Sequence, residues 1–528
     1  MKRLSPQEVK PRLTAGGEIA FLDIREHGLY GEGHTFFAIP LPYSRLEIEA
    51  PRLLPRKTVP IVLLDDGDEV AVRAARRLAA LGYTDIAAVE GGAPGWAAAG
   101  YTLFKGVNVP SKAFGEIVEH ARHTPSINAA GLKAMQDCGE EFVLLDGRTV
   151  AEYRKMNIPG GIACPNAELG HRLPLLVPDE TTPVVVNCAG RTRSIMGAQS
   201  LIELGFRNPV YALENGTQGW QLAGYELEHD SDRKYPDRLP GTVLAESMER
   251  AVGLRTRYDI PVIEQPTLEE WRTQEDRTLY MLDVRTAKEY AAGHYPGARH
   301  APGGQLVQAT DQWVAVRGAR LVLFDDTGLR AAITAHWLRC MGHDAYVFNS
   351  DVFTLADAAP VQGPPATNVD SPPEISSKEL AGALAEGSAT LFDLNPSMAY
   401  RVGHIDGAQW AIRPRLDRLA PPADKRIVLT AVDRRLADLA AIDLAEAGHR
   451  NVAYLSGDEA DWRAGGLSVA VTPDDPPDKD CIDYLFFVHD RHAGNLEACR
   501  QYLAWETGLL DQMDEQEKSV FRISRSEP

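Results

Sequence analysis

The chain has 528 residues, a formal charge of −19 and 44% hydrophobic residues. Its length corresponds to several domains of about 100–200 residues each. The negative charge argues against a general nucleic-acid binder and against binding to anionic membranes. The N-terminus lacks an apolar signal segment, and no run of about 20 apolar residues occurs. We therefore expect a cytoplasmic protein with neither a nucleic acid nor a membrane as partner.

The six cysteines are scattered along the chain, without a CxxC pair or the Cys/His spacing of a zinc site. Six cysteines in a chain of this length do not form a disulfide framework of the kind found in small secreted domains. The sequence therefore predicts a reducing environment and no metal site.

A short apolar run that ends in Asp occurs four times. The copies read FLDIRE, LLDGRT, MLDVRT and LFDLNP. Each is followed by a second apolar run, a short loop and an Ala/Leu-rich stretch that ends in Gly. These patterns predict a buried strand and then a strand, a tight loop and an amphipathic helix with a glycine cap.

The spacing of these features is nearly constant. The Asp and the start of the later loop are 42 residues apart in three copies and 38 in the fourth, and loop start and helix-ending Gly are 17 apart in all four. Strands that alternate with helices predict parallel pairing through right-handed crossovers. We therefore expect an α/β protein of four tandem domains, each a parallel sheet flanked by helices, with a C-terminal helical tail.

Linkers are predicted near 106–112, 229–265 and 360–373, and the last two stretches are rich in proline and charged residues. The predicted parts of the chain are unit one at 1–107, unit two at 112–230, unit three at 258–362, unit four at 372–472 and a C-terminal helical segment at 476–528.

The four loops start with different residues: Asp65, Cys188, Asp325 and Ala431. Only unit two carries a nucleophile there. The loops of units one and three are acidic and would repel an anionic donor, and the alanine of unit four cannot react. Chemistry is therefore expected only in unit two.

The loop of unit two reads CAGRTRS from Cys188. Its cysteine is predicted at the carboxyl end of a parallel strand, directly before a helix N-terminus, where ligands and anions bind. Arg191 and Arg193 add positive charge, and Ala189 and Gly190 leave room for backbone N–H groups to face a sulfur anion. These features predict that the pKa of the Cys188 thiol is lowered.

A strand–CxxxxR–helix segment, preceded by LDGR and followed by NGTQGW, resembles the rhodanese family, and CAGRTR is similar to active-site loops of bacterial rhodaneses. The resemblance covers about 1–470 and implies a tandem four-repeat form with one active repeat. It implies a thiosulfate sulfurtransferase that works by double displacement. The cysteine takes sulfur from thiosulfate or a related persulfide donor and passes it to cyanide or a thiol. Neither a metal nor an organic cofactor is implied, and homo-oligomers are left open.

The predicted catalytic residue is Cys188. Arg148 of the LDGR segment is implied by the resemblance to lie near the donor, although its counterparts in units one and three leave a structural role equally open. The predicted substrate-binding residues are Arg148, Ala189, Gly190, Arg191, Thr192, Arg193 and Ser194.

Three other functions stay open at this stage. A Cys-dependent phosphatase or arsenate reductase can use the same fold, but it typically needs a CxxxxxR loop, one residue longer than the loop here. With three units inert, the chain could act mainly as a scaffold. A low-pKa cysteine with a resolving partner would make a redox sensor.

Overall fold

Each predicted unit folds around its own parallel sheet in the computed structural model, which describes residues 1–349, 371–419, 425–489 and 495–523. In all four sheets the two apolar runs of the repeat form adjacent parallel strands. The prediction of four α/β units with a helical tail is confirmed. The exact domain boundaries stay predictions, and both the predicted end of unit three at 362 and most of the 360–373 linker lie outside the described residues.

Unit one contributes strands β1 to β5, which are Lys2–Leu4, Ile19–Asp23, Ile39–Pro40, Ile61–Leu64 and Ile86–Val89. Its helices, with the one that leads into unit two, are α1 to α6: Pro6–Arg12, His27–Glu32, Leu46–Leu53, Val70–Ala80, Gly92–Ala98 and Val109–Arg122.

Unit two contributes strands β6 to β10, which are Ser126–Ile127, Val143–Asp146, Ile162–Ala163, Val184–Asn187 and Val210–Leu213. Its helices, with the one that follows it, are α7 to α12: Ala129–Cys138, Val150–Lys155, Asn166–Arg172, Thr192–Glu203, Gly216–Leu222 and Gly241–Tyr258.

Unit three contributes strands β11 to β16, which are Val262–Ile263, Leu279–Asp283, Arg299–His300, Val316–Arg317, Arg320–Phe324 and Asp344–Phe348. Its helices α13 to α16 are Gln265–Thr273, Ala287–Ala292, Gly303–Gln308 and Leu329–Cys340.

Unit four contributes strands β17 to β23, which are Glu374–Ile375, Ala389–Asp393, His404–Ile405, Gln409–Trp410, Arg426–Thr430, Val452–Leu455 and Val469–Ala470. Its helices α17 to α20 are Ser377–Ala385, Ser397–Val402, Arg434–Glu446 and Glu459–Ala464, and the tail helices α21 to α24 are Phe486–His489, Leu496–Thr507, Leu509–Gln512 and Glu515–Lys518.

The sheet of unit two has the order β6-β10-β9-β7-β8, with every pair parallel. Strand β9 lies in the middle and is buried along its whole length. The residue that follows β9 therefore lies at the carboxyl edge of the sheet, between the ends of β7 and β10. This is the edge at which open α/β sheets place ligands.

The units also contact one another. Strand β14 of unit three pairs antiparallel with β2 of unit one. Arg330 of unit three lies 2.9 Å from Glu168 of unit two, and Arg413 of unit four lies 2.7 Å from Glu47 of unit one. All four side chains are buried, so these ion pairs fix the units relative to one another.

Two segments outside the four sheets pack against the units. The 229–265 stretch, predicted as a linker, contains the 18-residue helix α12, which packs against α16 of unit three. In the tail, α22 contacts both α6 and α11, so the end of the chain returns to unit two. Within the part of the chain that the structure describes, no helix is both long enough and apolar enough to cross a bilayer.

Candidate active site

Cys188 directly follows β9 and precedes α10, as the sequence predicts. Its carbonyl accepts a hydrogen bond from the Thr217 N–H at 2.8 Å, which ties the loop to the start of α11. The neighbouring Gly216 has a φ of +52°, and a Cβ there would lie 2.2 Å from the Cys188 carbonyl oxygen. Only glycine allows this close approach, so the NGTQGW turn holds the cysteine loop in place.

The Cys188 side chain is buried, with 2% of its surface exposed. The Ser194 hydroxyl donates a hydrogen bond to Sγ at 3.1 Å. Burial raises the pKa of the Cys188 thiol, and although the charge of Arg193 and the Ser194 hydrogen bond oppose this, the pKa stays above its ordinary value. The prediction of a lowered thiol pKa is therefore wrong, because the sequence shows nearby charges but not the removal of water from the sulfur.

The positive charge of Arg193 acts to lower the pKa of the Cys188 thiol. Its guanidinium donates two hydrogen bonds to the Glu152 carboxylate, at 2.9 and 2.7 Å. Burial by itself raises the pKa of Glu152, but Arg193 and the hydrogen bonds from Thr149 bring that pKa to about 2. Arg193 is thus a cation held beside the cysteine by a carboxylate that stays ionised at neutral pH.

Arg191 is held elsewhere. It donates hydrogen bonds to both Glu116 oxygens, at 2.7 and 2.9 Å, and a further one to Glu119, both on helix α6. The sequence predicts that the positive charge of Arg191 attracts an anionic sulfur donor. In the structure two carboxylates already neutralise it, and its visible role is to fix the loop against α6.

Arg148 is buried, with 2% of its surface exposed. It pairs with Asp146 at 2.6 Å and donates to the Met156 carbonyl at 2.7 Å. Arg25 and Arg285 make the same two contacts in units without a thiol, each with the aspartate two residues earlier and a carbonyl eight residues later. The shared geometry favours the structural role for Arg148.

The other predicted loop residues, Ala189, Gly190 and Thr192, are all buried. Thr192 Oγ1 donates a hydrogen bond to Glu506 Oε1 at 2.9 Å. Glu506 belongs to the tail helix α22 and was not predicted as a site residue, because nothing in its local sequence connects it with a loop more than 300 residues away. Gln218 was also missed, although it lies in the NGTQGW turn that the sequence singled out.

Comparison with known proteins agrees with this architecture. The family model described as "Rhodanese-like domain" matches four segments of the chain, at residues 5–99, 128–223, 266–353 and 376–465. The crystal structure of a thiosulfate sulfurtransferase from Pseudomonas aeruginosa is similar over 99% of each chain, with 40% identity and a TM-score of 0.90.

Two curated proteins match over about the length of one unit. The thiosulfate sulfurtransferase GlpE of Pseudoalteromonas translucida is 30% identical over 84 residues, which is 16% of this chain and 77% of that protein. YrkF of Bacillus subtilis is 29% identical over 102 residues, which is 19% of this chain and 54% of YrkF. The family model covers more than half of the chain, and the similarity to the Pseudomonas enzyme extends over its whole length. The chain belongs to the rhodanese family of sulfurtransferases.

Proposed function

We propose that the protein is a thiosulfate sulfurtransferase of the rhodanese type and that Cys188 carries the sulfur. In the first half-reaction the Cys188 sulfur attacks the sulfane sulfur of thiosulfate or of a related persulfide donor. The bond between the two donor sulfurs breaks, sulfite or a thiolate leaves, and a Cys188 persulfide remains. In the second half-reaction an acceptor, cyanide or a thiol, takes the outer sulfur and restores the cysteine.

One observation carries this proposal. Of the four corresponding loops, only that of unit two has a nucleophile, Cys188, at its first position. The sulfur lies at the carboxyl edge of the sheet, beside Arg193, with the Ser194 hydroxyl at 3.1 Å. These two groups favour an anionic sulfur, both as thiolate and as persulfide. Ala189, Gly190 and Thr192 supply the backbone between them, while Arg191 and Arg148 hold the loop and its neighbour rather than the donor.

A reducing, cytoplasmic setting is part of the proposal. Cys188 is not part of a disulfide, and persulfide transfer to a thiol needs a reduced Cys188 at the end of each cycle.

The proposal is tested by intact-mass spectrometry after brief incubation with thiosulfate. The wild type is expected to gain one sulfur, ~32 Da, through covalent catalysis at the cysteine. Cyanide or a thiol should remove that mass, and Cys188→Ser should never gain it. Absence of the adduct with thiosulfate and with persulfide donors, while Cys188 still reacts with an alkylating agent, would contradict sulfur transfer.

A further inference from the structure

A cleft opens between units one and three, and its volume is about 750 Å³. Small-molecule sites in proteins occupy about 300–1,000 Å³. Segments that precede β2, β4, β12 and β15 form its walls, together with the tail beyond α24. Among the described residues, units two and four contribute nothing to its lining. The cleft therefore lies at the amino edges of two sheets, whereas Cys188 lies at the carboxyl edge of a third.

Positive charge is concentrated in this cleft. Six arginines and three carboxylates line it. The arginines are Arg12, Arg56, Arg277, Arg317, Arg339 and Arg522, and the carboxylates are Glu18, Asp276 and Asp344. Three positive charges are therefore in excess, in a chain whose formal charge is −19. This local reversal of the overall charge favours anions in the cleft.

Ion pairs within the cleft account for only part of this charge. They are Arg56–Glu18 at 2.6 Å, Arg277–Asp344 at 2.6 Å and, more distantly, Arg339–Asp344 at 3.9 Å. In the part of the chain that the structure describes, Arg12, Arg317 and Arg522 form no ion pair. Arg12 and Arg522 are exposed, so water can solvate their charges, but Arg317 is partly buried.

Arg317 is withdrawn from water without an anion beside it. Its Nε donates a hydrogen bond to the Leu13 carbonyl at 2.9 Å, and its guanidinium carbon lies 4.1 Å from the centre of the Phe37 ring. Burial lowers the pKa of Arg317 to about 10. A buried cation without a counter-ion is costly, and an anion in the cleft would reduce that cost.

Arg250 shows how a similar arginine is compensated elsewhere in the molecule. Its guanidinium carbon lies 3.9 Å from the centre of the Phe206 ring, and it donates a hydrogen bond to the Leu204 carbonyl at 3.1 Å. Burial lowers the pKa of Arg250 as well, but three glutamates act against this effect. Arg317 has the same two kinds of contact without such glutamates.

The chemistry of the cleft indicates which anion it can hold. Guanidinium groups bind phosphate oxygens through pairs of parallel hydrogen bonds. A single small anion such as sulfate cannot span arginines on several walls, whereas a chain of linked phosphates can, and it carries several negative charges. We propose that this cleft binds an oligophosphate, a small molecule with two or more linked phosphate groups, through Arg317 together with Arg12, Arg339 and Arg522. This inference does not depend on sulfur transfer by Cys188.

The test is isothermal titration calorimetry of the full chain with inorganic tripolyphosphate. Mg²⁺ is left out, and the ionic strength is about 0.15 M, at which attraction between distant surface charges is largely screened. One equivalent is expected to bind. Arg317→Met should weaken binding about tenfold, because a charge interaction in a partly buried cleft is lost. Absence of saturable binding by the wild type, or a weakening of less than about threefold in Arg317→Met, would overturn the inference.

Control variants separate this cleft from other places where an anion could bind. Arg250→Met removes the matched arginine outside the cleft, and Cys188→Ser removes the sulfur from its loop, so neither should change the affinity. Loss of binding in Cys188→Ser would place the anion at the cysteine loop and overturn the inference. If Arg317→Met does not fold, the double variant Arg12→Gln, Arg522→Gln decides the question, because both side chains are exposed and their loss should also weaken binding about tenfold.

Two further ligands define the oligophosphate. Tighter binding of ATP than of tripolyphosphate would assign the cleft to a nucleotide whose base or sugar makes contacts of its own. Equal or weaker binding of ATP would assign it to the phosphate chain alone. Sulfate should bind at least about tenfold more weakly than tripolyphosphate, because it reaches fewer arginines. Equal affinities for sulfate and tripolyphosphate would overturn the assignment to linked phosphates.

Discussion

Units two and three present the same loop with different residues at its first position. Cys188 of unit two corresponds to Asp325 of unit three, and the arginine five residues later is Arg193 in one and Arg330 in the other. Arg330 Nε donates to Asp325 at 2.9 Å and its Nη1 donates to Glu289 at 2.7 Å. Arg193 pairs in the same way with Glu152, the counterpart of Glu289.

Units one and three therefore keep the loop of unit two without its nucleophile. In unit three the arginine binds the Asp325 carboxylate, which occupies the place of the cysteine. In unit one Asp65 accepts hydrogen bonds from the N–H groups of Gly67 and Ala71, both at 3.0 Å. The loop attracts negative charge in each case. In unit two no carboxylate stands at this position, and the sulfur of Cys188 is the group that can carry the negative charge.

The comparison also gives unit three a structural role. Arg330 contacts four carboxylates, those of Asp325, Asp326, Glu289 and Glu168. Glu168 belongs to helix α9 of unit two, and Asn166 at the start of α9 donates a hydrogen bond to the Arg193 carbonyl at 2.9 Å. The loop of unit three is therefore part of the interface that supports the loop of Cys188.

The largest expected effect comes from making unit two resemble unit three. Cys188→Asp should lower sulfur transfer by more than about 10³-fold, because the nucleophile is lost. The new carboxylate should pair with Arg193 as Asp325 pairs with Arg330, so the fold should survive. Cyanide-coupled turnover and thermal melting measure the two effects. Cys188→Ala is the control, and a melting temperature for Cys188→Asp well below that of Cys188→Ala would contradict the equivalence of the two loops.

The second effect concerns the buried arginine of unit three. Arg330→Met should destabilise the protein by about 3–5 kcal/mol, because it leaves several carboxylates buried without their cation. Calorimetry should show the loss as a lower midpoint temperature for the unfolding of units two and three.

Arg193→Met is the matched variant in unit two. Its pair with Glu152 is more exposed than that of Arg330, so we expect a smaller loss of stability. The rate of persulfide formation should fall instead, since Arg193 favours the anionic sulfur. If the two substitutions lowered stability equally and slowed persulfide formation equally, Arg330 could not be called structural and Arg193 could not be called a residue of the reaction.

The smallest predicted effect concerns the thiol of the unloaded enzyme. Its pKa is raised, so the reactive thiolate grows as pH rises and is still a minor form at neutral pH. Alkylation of Cys188 by iodoacetamide should therefore increase about tenfold per pH unit between pH 7 and 9. Ser194→Ala should slow alkylation at each pH, because a hydrogen bond to the thiolate is lost. A rate that levels off below pH 8 would instead support the lowered pKa predicted from the sequence.

The architecture could be predicted from the sequence because it depends on local patterns. The runs that end in Asp146 and Asn187 are apolar and short, and the stretch after Arg191 has helical periodicity, so strand, loop and helix follow from neighbouring residues. Constant spacing then identified the four units. The same spacing aligned Cys188 with Asp65 and Asp325 and singled it out as the nucleophile.

Contacts between residues far apart in the sequence depend on the tertiary structure alone. The sequence places three arginines near Cys188, but only the fold shows that Arg148 and Arg191 are bound elsewhere while Arg193 stays beside the thiol. It also brings Glu506 to Thr192 across 314 positions. For the same reason, the pKa of the Cys188 thiol is raised, although the sequence predicts that it is lowered. Burial depends on everything packed around the sulfur, and charge acts through distances in space rather than along the chain.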